Sequence, residues 1–233
     1  MKKAIRIIGI IAVVGLIFAA IIASMTAKPS NAEKIWDKEM TLGNLEAKNY
    51  FIVYSDLVCP YCIAFENAIL EHEEEFKQYL EENDVLLEVR LSDFLYEYGK
   101  ANPINSRYSA VASYCAKDAG KFWDYYNLAV TTLWNDYFKT SGKSALSQIS
   151  KLDKKYWIDL GKKVDLGEDF ASCVKNDTPL AEIQQSAKKT AKLVSGLPAF
   201  KFNSYTPPNG GGFSLSGTWR DVKAYFDAGL KSK

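Results

Sequence analysis

Two cysteines three positions apart, Cys59 and Cys62, are the residues of this chain best suited to chemistry. Pro60 fits the first turn of a helix, because proline lacks the N–H that this position cannot use. Cys59 would then lie at a helix N-terminus, where free N–H groups and the helix dipole favour a thiolate, the nucleophile of disulfide exchange. Cys62, one turn further along on the buried face, would be shielded from solvent and able to resolve a mixed disulfide on Cys59.

The same spacing also occurs in half-sites for zinc and in purely structural cysteine pairs. A zinc site needs two more ligands in a compatible arrangement. Cys115 and Cys173 are isolated, however, and the single histidine, His72, follows Cys62 on the same predicted helix. The sequence therefore favours redox chemistry and predicts neither a metal ion nor another cofactor.

The elements around the pair would place it at the end of a buried strand. Residues 50–54 are aromatic or β-branched, as is typical of a core strand, and polar Ser55 and Asp56 follow them. From Cys59 onward, apolar residues recur every three or four positions, which predicts one helix of roughly 20 residues. Alternation over residues 84–91 predicts another strand, and hence a β-α-β unit.

The remaining chain predicts many helices and then a second set of strands. Helical patterns run for about 90 residues from residue 102 onward. Strands are expected at residues 199–203 and 213–215, and a further short strand within residues 36–42. Thr218 and Asp221 form a capping box that predicts the start of a final helix.

The sequence resembles the DsbA family of thiol-disulfide oxidoreductases. The resemblance lies in Cys-Pro-Tyr-Cys at residues 59–62 after an apolar strand, and in Gly-Leu-Pro-Ala-Phe at residues 196–200 before the last elements. It implies an α/β thioredoxin fold, formed by residues 35–95 and 196–233, with a large inserted helical subdomain at residues 96–195. It covers most of the chain from about residue 36.

The resemblance also implies roles for individual residues. Cys59 and Cys62 would be the catalytic pair, and Pro60 and Tyr61 would complete the active-site loop. Pro198 would follow a cis peptide bond and face the pair, an arrangement that is uncommon for X-Pro bonds and usually kept for tight local geometry. The alternative is an ordinary trans proline that opens an edge strand.

Two positions depart from the family pattern. The central dipeptide is Pro60-Tyr61, whereas the best-known strongly oxidising members have Pro-His. Val53 stands where many members carry an acidic residue, six positions before the first cysteine. Asp56, three positions before that cysteine, cannot simply inherit its role. The sequence therefore leaves the oxidising strength open.

The chain begins with a basic segment and an apolar run. Three basic residues precede the uncharged run at residues 7–27, whose 21 residues are long enough to cross a hydrocarbon core of about 30 Å. The basic residues predict a cytoplasmic N-terminus and export of the remainder. A retained membrane anchor at residues 1–27, followed by a polar linker at residues 28–34, is favoured, and a cleavable signal peptide is the alternative.

The charge and the cysteine content bear on the type of partner and on the cellular compartment. The net charge of +1 gives no indication of nucleic-acid binding. Four cysteines, an even number, suit an oxidising compartment outside the cytoplasm. Cys115 and Cys173 each lie on the apolar side of a predicted helix, so a structural disulfide between them is favoured, with two buried free thiols as the alternative.

These observations and the resemblance together predict an extracytoplasmic thiol-disulfide oxidoreductase that forms disulfide bonds in exported proteins. Its partners would be cysteine-bearing protein substrates, held beside Cys59 by the backbone around Leu197 and Pro198, and an unidentified redox partner that resets the pair. The same site could instead run as a reductase or isomerase. A non-catalytic binding module on a thioredoxin scaffold is a further alternative.

Overall fold

The computed structural model describes residues 36–101, 103–207 and 210–232. The predicted anchor or signal at residues 1–27 and the linker at residues 28–34 lie outside these ranges. Within the ranges, no helix is long and apolar enough to cross a membrane.

A four-stranded sheet forms the centre of the described part of the chain, in the order β1-β3-β2-β4. Its strands are β1 (Thr41–Leu42), β2 (Asn49–Ser55), β3 (Val85–Leu91) and β4 (Ala199–Phe202). β2 and β3 are parallel, whereas β1 and β4 run antiparallel to their neighbours. Residues 51–55 of the inner strand β2 are all buried, as the aromatic and β-branched side chains of residues 51–54 predict. Polar Ser55, expected to follow the strand, is its last residue.

Two helices, and not one, connect the parallel strands. The predicted helix of roughly 20 residues is wrong, because α1 (Pro60–Leu70) and α2 (Glu73–Glu82) are separated by a turn in which His72 has a φ of −130°. Three glutamates fill the first turn of α2, where the helix dipole favours negative charge and so supports a new helix start. The predicted β-α-β unit with a helical crossover is confirmed.

The chain between β3 and β4 is mostly helical, as predicted. Its α-helices are α3 (Phe94–Glu97), α4 (Ile104–Asp118), α5 (Phe122–Leu133), α6 (Lys139–Ser141), α7 (Leu146–Ile149), α8 (Lys154–Lys162), α9 (Glu168–Lys175) and α10 (Leu180–Leu193). A π-helical turn, Trp134–Phe138, follows α5, and a 3-10 turn, Gly142–Ala145, precedes α7. Tyr125 and Trp157 are fully buried in the same core as Phe51 of the sheet. The boundary of an inserted subdomain at residues 96–195 stays a prediction.

The predicted strand at residues 213–215 is wrong. Phe202, the last residue of β4, bridges instead to Tyr205. The Phe213 ring packs edge-on against Phe65 of α1, with ring centroids 5.3 Å apart. This segment therefore fills the core with an aromatic side chain and does not extend the sheet.

Short elements complete the two ends of the described chain. The strand expected within residues 36–42 is limited to β1, because a 3-10 turn, Lys38–Met40, precedes it. The final helix α11 (Trp219–Lys231) begins at the predicted capping box, in which the Asp221 carboxylate accepts from the N–H of Thr218 at 2.8 Å. Phe226 of α11 stacks on Phe51 of β2, with ring centroids 3.9 Å apart.

Candidate active site

The redox loop, residues 56–59, joins the end of β2 to the start of α1. Asp56 shapes this loop, because its carboxylate accepts from the N–H of Val58 at 3.0 Å and its carbonyl accepts from the N–H of Cys59 at 2.9 Å. Cys59 is the N-cap residue of α1 and Pro60 is its first residue, as predicted. The structure therefore places the Cys59 sulfur at the end of a helix where backbone N–H groups are free.

Both cysteines of the motif are free thiols, and both are buried. Cys59 exposes 4% of its surface and Cys62 exposes 0%. The Cys59 thiol lies 3.6 Å from the carbonyl oxygen of Leu197, to which it donates. Cys59 thus faces the segment that leads into β4, while Cys62 is enclosed.

The surroundings of Cys62 favour its protonated form. Burial raises the pKa of Cys62 well above its ordinary value, and the hydrogen bond and charge of Cys59 and the charge of Glu66 act in the same direction. A hydrogen bond from the backbone of Asp56 lowers that pKa. Cys62 is therefore a thiol at neutral pH, and its thiolate needs specific stabilisation in order to attack or to leave.

The segment opposite Cys59 contains the second predicted part of the site. The peptide bond between Leu197 and Pro198 is cis, as the resemblance implies, and Pro198 is buried. Leu197 is half-buried and packs against the small cluster that includes Tyr54 of β2. The structure therefore brings Cys59, Leu197 and Pro198 together at the end of the sheet.

Tyr61 of the motif lies beside a positive charge that the sequence did not indicate. The Nζ atom of Lys143 lies 5.1 Å from the centroid of the Tyr61 ring, within the range of a cation–π contact. Lys143 belongs to the 3-10 turn Gly142–Ala145. The helical chain between β3 and β4 therefore contributes a side chain beside the motif. Pro60, the neighbour of Tyr61, is buried.

Asp56 also connects the redox loop to the helical segment. Its second carboxylate oxygen accepts from the Leu95 N–H at 2.9 Å and from the Ser106 hydroxyl at 2.6 Å. Burial raises the pKa of Asp56 to about 6, against these hydrogen bonds, which lower it. A carboxylate with no exposed surface thus holds three hydrogen-bond donors directly before the redox pair.

Glu66 is a buried acid that the sequence analysis did not single out. It lies one turn after Cys62 on α1 and accepts from the Ser55 hydroxyl at 2.5 Å. Burial raises the pKa of Glu66 to about 7, although the hydrogen bond from Ser55 lowers it. A charged residue among the apolar positions of α1 was the available signal in the sequence.

The other two cysteines lie in the helical segment. Cys115 of α4 and Cys173 of α9 form a disulfide with their Cα atoms 5.9 Å apart. Among the residues that the structure describes, no three His, Cys, Asp or Glu side chains are grouped as a metal site would need. His72 pairs with Glu75 at 3.0 Å, on the surface at the start of α2.

Comparisons with known proteins agree with this geometry. A family model described as thioredoxin matches residues 36–206. The chain is similar to a thioredoxin-like oxidoreductase from Silicibacter pomeroyi, with 20% identity, a TM-score of 0.58, and coverage of 88% of this chain and 100% of that one. It is also similar to MdbA, a thiol-disulfide oxidoreductase from Corynebacterium diphtheriae, with 16% identity, a TM-score of 0.58, and coverage of 83% and 91%.

A variant of alpha-DsbA1 from Wolbachia pipientis is a third similar structure, with 14% identity, a TM-score of 0.59, and coverage of 85% and 95%. No curated protein sequence matches the chain. At these identities, the solved structures establish a shared fold, and the family model establishes the family. The chain therefore belongs to the thioredoxin family, and it has the fold of that family's DsbA-like members.

Proposed function

We propose that this protein is an extracytoplasmic thiol-disulfide oxidoreductase that forms disulfide bonds in exported proteins. The position of Cys59 carries the proposal, because its sulfur lies at the N-terminus of α1 and 3.6 Å from the Leu197 carbonyl. Cys62 is enclosed one turn further along the helix. This arrangement suits a first cysteine that meets the substrate and a second that closes the pair.

The reaction begins with a disulfide between Cys59 and Cys62. A substrate thiolate attacks the Cys59 sulfur, the disulfide breaks, and Cys62 leaves as a thiolate that then takes a proton. A second substrate thiolate attacks the substrate sulfur of the mixed disulfide, and Cys59 leaves as a thiolate at the helix N-terminus. Two electrons pass from the substrate dithiol to the pair, and a separate redox partner must remove them.

The segment before β4 is the proposed place for the substrate backbone. An extended substrate chain beside Leu197 and Pro198 would hydrogen-bond to the backbone there, in the manner of strand addition. The Leu197 carbonyl already faces Cys59, so a substrate cysteine held in this way would lie next to the attacking position. Such recognition depends on the backbone and therefore tolerates many substrate sequences.

Two observations support a location outside the cytoplasm. The apolar run at residues 7–27 follows basic residues, a pattern typical of exported chains. The Cys115–Cys173 disulfide suits an oxidising compartment, because disulfides are rare in the cytosol. We further propose that residues 1–27 remain as a membrane anchor. Finding the mature protein in the soluble extracellular or periplasmic fraction would instead indicate cleavage.

Trapping in the native host tests the proposed function. A Cys62→Ala variant keeps Cys59 but lacks the second sulfur, so mixed disulfides with substrates should accumulate and appear on non-reducing gels. A Cys59→Ala/Cys62→Ala variant is the matched control and should give no adducts. Identification of the adducts as exported cysteine-bearing proteins would support the proposal and name the substrates.

The other possible outcomes separate the alternatives. A reduction potential near that of reducing thioredoxins, measured against glutathione, would indicate a reductase and contradict oxidation. Repair of a scrambled disulfide protein, without net oxidation, would indicate an isomerase. No adducts, together with a pair that glutathione cannot reduce, would identify a non-catalytic binding module.

A further inference from the structure

Asp56 is a fully buried carboxylate at the junction of three chain segments. One oxygen accepts from the N–H of Val58 in the redox loop, at 3.0 Å. The other accepts from the N–H of Leu95 in α3, at 2.9 Å, and from the hydroxyl of Ser106 in the first turn of α4, at 2.6 Å. Because an unmet hydrogen bond to a buried charge is costly, these donors fix the Asp56 side chain and the peptide units beside it.

The backbone of Asp56 contacts both cysteines of the pair. Its carbonyl accepts from the N–H of Cys59 at 2.9 Å. Its backbone also hydrogen-bonds to Cys62 and lowers the pKa of that thiol, against burial and the other groups that raise it. An acidic group whose pKa is lowered in this way receives its hydrogen bond from a backbone N–H.

We propose that Asp56 is a positioning residue for the redox pair. Its carboxylate, held by Val58, Leu95 and Ser106, fixes the peptide groups on both sides of Asp56. The Asp56 carbonyl then holds the Cys59 N–H at 2.9 Å, and the Asp56 N–H stabilises the Cys62 thiolate. This inference rests on the proposed function and adds a residue to it. It differs from the acidic position missing at Val53, because Asp56 acts through its own peptide group.

The Asp56 N–H would stabilise the Cys62 thiolate at the moment when the Cys59–Cys62 disulfide is attacked. As the attacking sulfur bonds to Cys59, the disulfide breaks and its electron pair stays on Cys62, which becomes a thiolate inside the protein. Few groups there favour negative charge, and the charge of Glu66 opposes it. A fixed N–H donor at the leaving sulfur therefore lowers the barrier, as preorganised donors do for a developing oxyanion.

The charged groups around Asp56 allow its role to be separated from a general effect of buried charge. Asp93 faces Asp56 and raises its pKa, while Asp93 itself pairs with Arg107 at 2.9 Å. Asp56 in turn raises the pKa of Glu66. Asp93 is thus a second buried acid close to Asp56, and its carboxylate accepts from Arg107 rather than from the backbone of the redox loop. It offers a matched control.

Two measurements test the proposal on the full chain. The first is the rate at which glutathione opens the Cys59–Cys62 disulfide, in the parent and in Asp56→Ala, Asp56→Asn, Ser106→Ala and Asp93→Asn variants. The second is the pH dependence of Cys62 alkylation by iodoacetamide, with each substitution combined with Cys59→Ala. A role limited to fold stability would change the unfolding transition but not the second measurement.

Asp56→Ala should slow disulfide opening by about tenfold or more and shift Cys62 alkylation to higher pH. Alanine keeps the backbone N–H but lacks the carboxylate that holds it, so the hydrogen bond from this N–H to the Cys62 thiolate is no longer fixed in place. Asp56→Asn keeps one oxygen acceptor and should fall between Asp56→Ala and the parent. Ser106→Ala should cause a smaller change in the same direction, and Asp93→Asn should behave as the parent does.

An unchanged rate and titration in Asp56→Ala would overturn the proposal, as would an equal effect in Asp93→Asn. If Asp56→Ala does not fold, Ser106→Ala decides the question. A Ser106→Ala variant with the same opening rate and the same Cys62 titration as the parent would show that the contacts of the Asp56 carboxylate do not affect the redox pair. A failure of the proposed function looks different: glutathione would then not open the disulfide of the parent itself.

Discussion

The Cys59 sulfur faces the carbonyl oxygen of Leu197 across 3.6 Å, although the two residues lie 138 positions apart in the chain. Cys59 follows β2, and Leu197 precedes β4, which pairs with β2. The reactive sulfur therefore lies between two segments that only the folded sheet brings together. Substitutions on either side of this contact should change disulfide exchange.

Replacement of Pro198 by alanine should slow exchange with a cysteine-containing peptide by about ten- to a hundredfold, because small misplacements at a reacting centre have effects of this size. The buried Pro198 ring sets the path of the backbone that carries the Leu197 carbonyl. Stopped-flow measurement of mixed-disulfide formation with the peptide checks this. Pro179→Ala, at the start of α10, is the control. Equal rates for Pro198→Ala and the parent would show that Pro198 has no part in substrate binding.

Replacement of Glu66 by glutamine should lower the pKa of Cys62. The Glu66 charge is one of the groups that raise this pKa, so its removal favours the Cys62 thiolate. The pH dependence of Cys62 alkylation, measured in a Cys59→Ala background, gives the result directly. Glu71→Gln, an exposed position just after α1, should leave the titration unchanged. A shift to higher pH in Glu66→Gln would contradict the electrostatic account.

The protein should be more stable to unfolding near pH 5 than near pH 8. The folded-state pKa values of Asp56, about 6, and Glu66, about 7, lie above the ordinary values of 3.8 and 4.5. The folded state therefore binds more protons than the unfolded state between the ordinary and the raised values, so stability falls as pH rises through this window. The combined effect is on the order of a few kcal/mol.

Urea unfolding at a series of pH values measures this dependence. The Cys59→Ala/Cys62→Ala variant avoids any contribution from the redox thiols. Adding Glu66→Gln should make the free energy of unfolding less dependent on pH between about pH 5 and pH 7, because the Glu66 carboxyl titrates in this range. Stability that increases steadily from pH 5 to pH 8 would show that neither acid has a raised pKa in the folded protein.

Loss of the Cys115–Cys173 disulfide should destabilise the protein without disabling the redox pair. The bond links residues 58 positions apart, and closing a loop of this length contributes about 4 kcal/mol in the chain-entropy model. A Cys115→Ala/Cys173→Ala variant should therefore unfold at lower urea concentration. Its Cys59–Cys62 disulfide should still be opened by glutathione at close to the parental rate. If this variant lost both its resistance to urea and the reactivity of its Cys59–Cys62 disulfide, the Cys115–Cys173 disulfide would also support the active site.

Local patterns predicted the parts of the site that depend on neighbouring residues. The buried strand β2, Pro60 after Cys59, and the capping box of Thr218 and Asp221 are all decided within a few positions. The cis bond before Pro198 came only from the family resemblance. Local information was misleading at two places. The apolar spacing after Cys59 continues across the turn between α1 and α2, and the strand predicted at residues 213–215 does not form.

The buried polar contacts could not be predicted, because they join distant parts of the chain. Ser106 lies 50 positions after Asp56, and nothing near either residue indicates that they meet. Glu66 is near Cys62 in sequence, but its burial depends on the packing of α5 and β2 around it. In general, the sequence located the sulfurs, and tertiary packing determined which groups control them.

The Cys115–Cys173 bond makes each new copy of this protein a recipient of the reaction proposed for it. Two electrons must leave Cys115 and Cys173 before the helices that carry them, α4 and α9, are linked. A finished molecule could remove those electrons from a newly made one, so that the population would promote its own maturation. The first copies in a cell would have to depend on another oxidant.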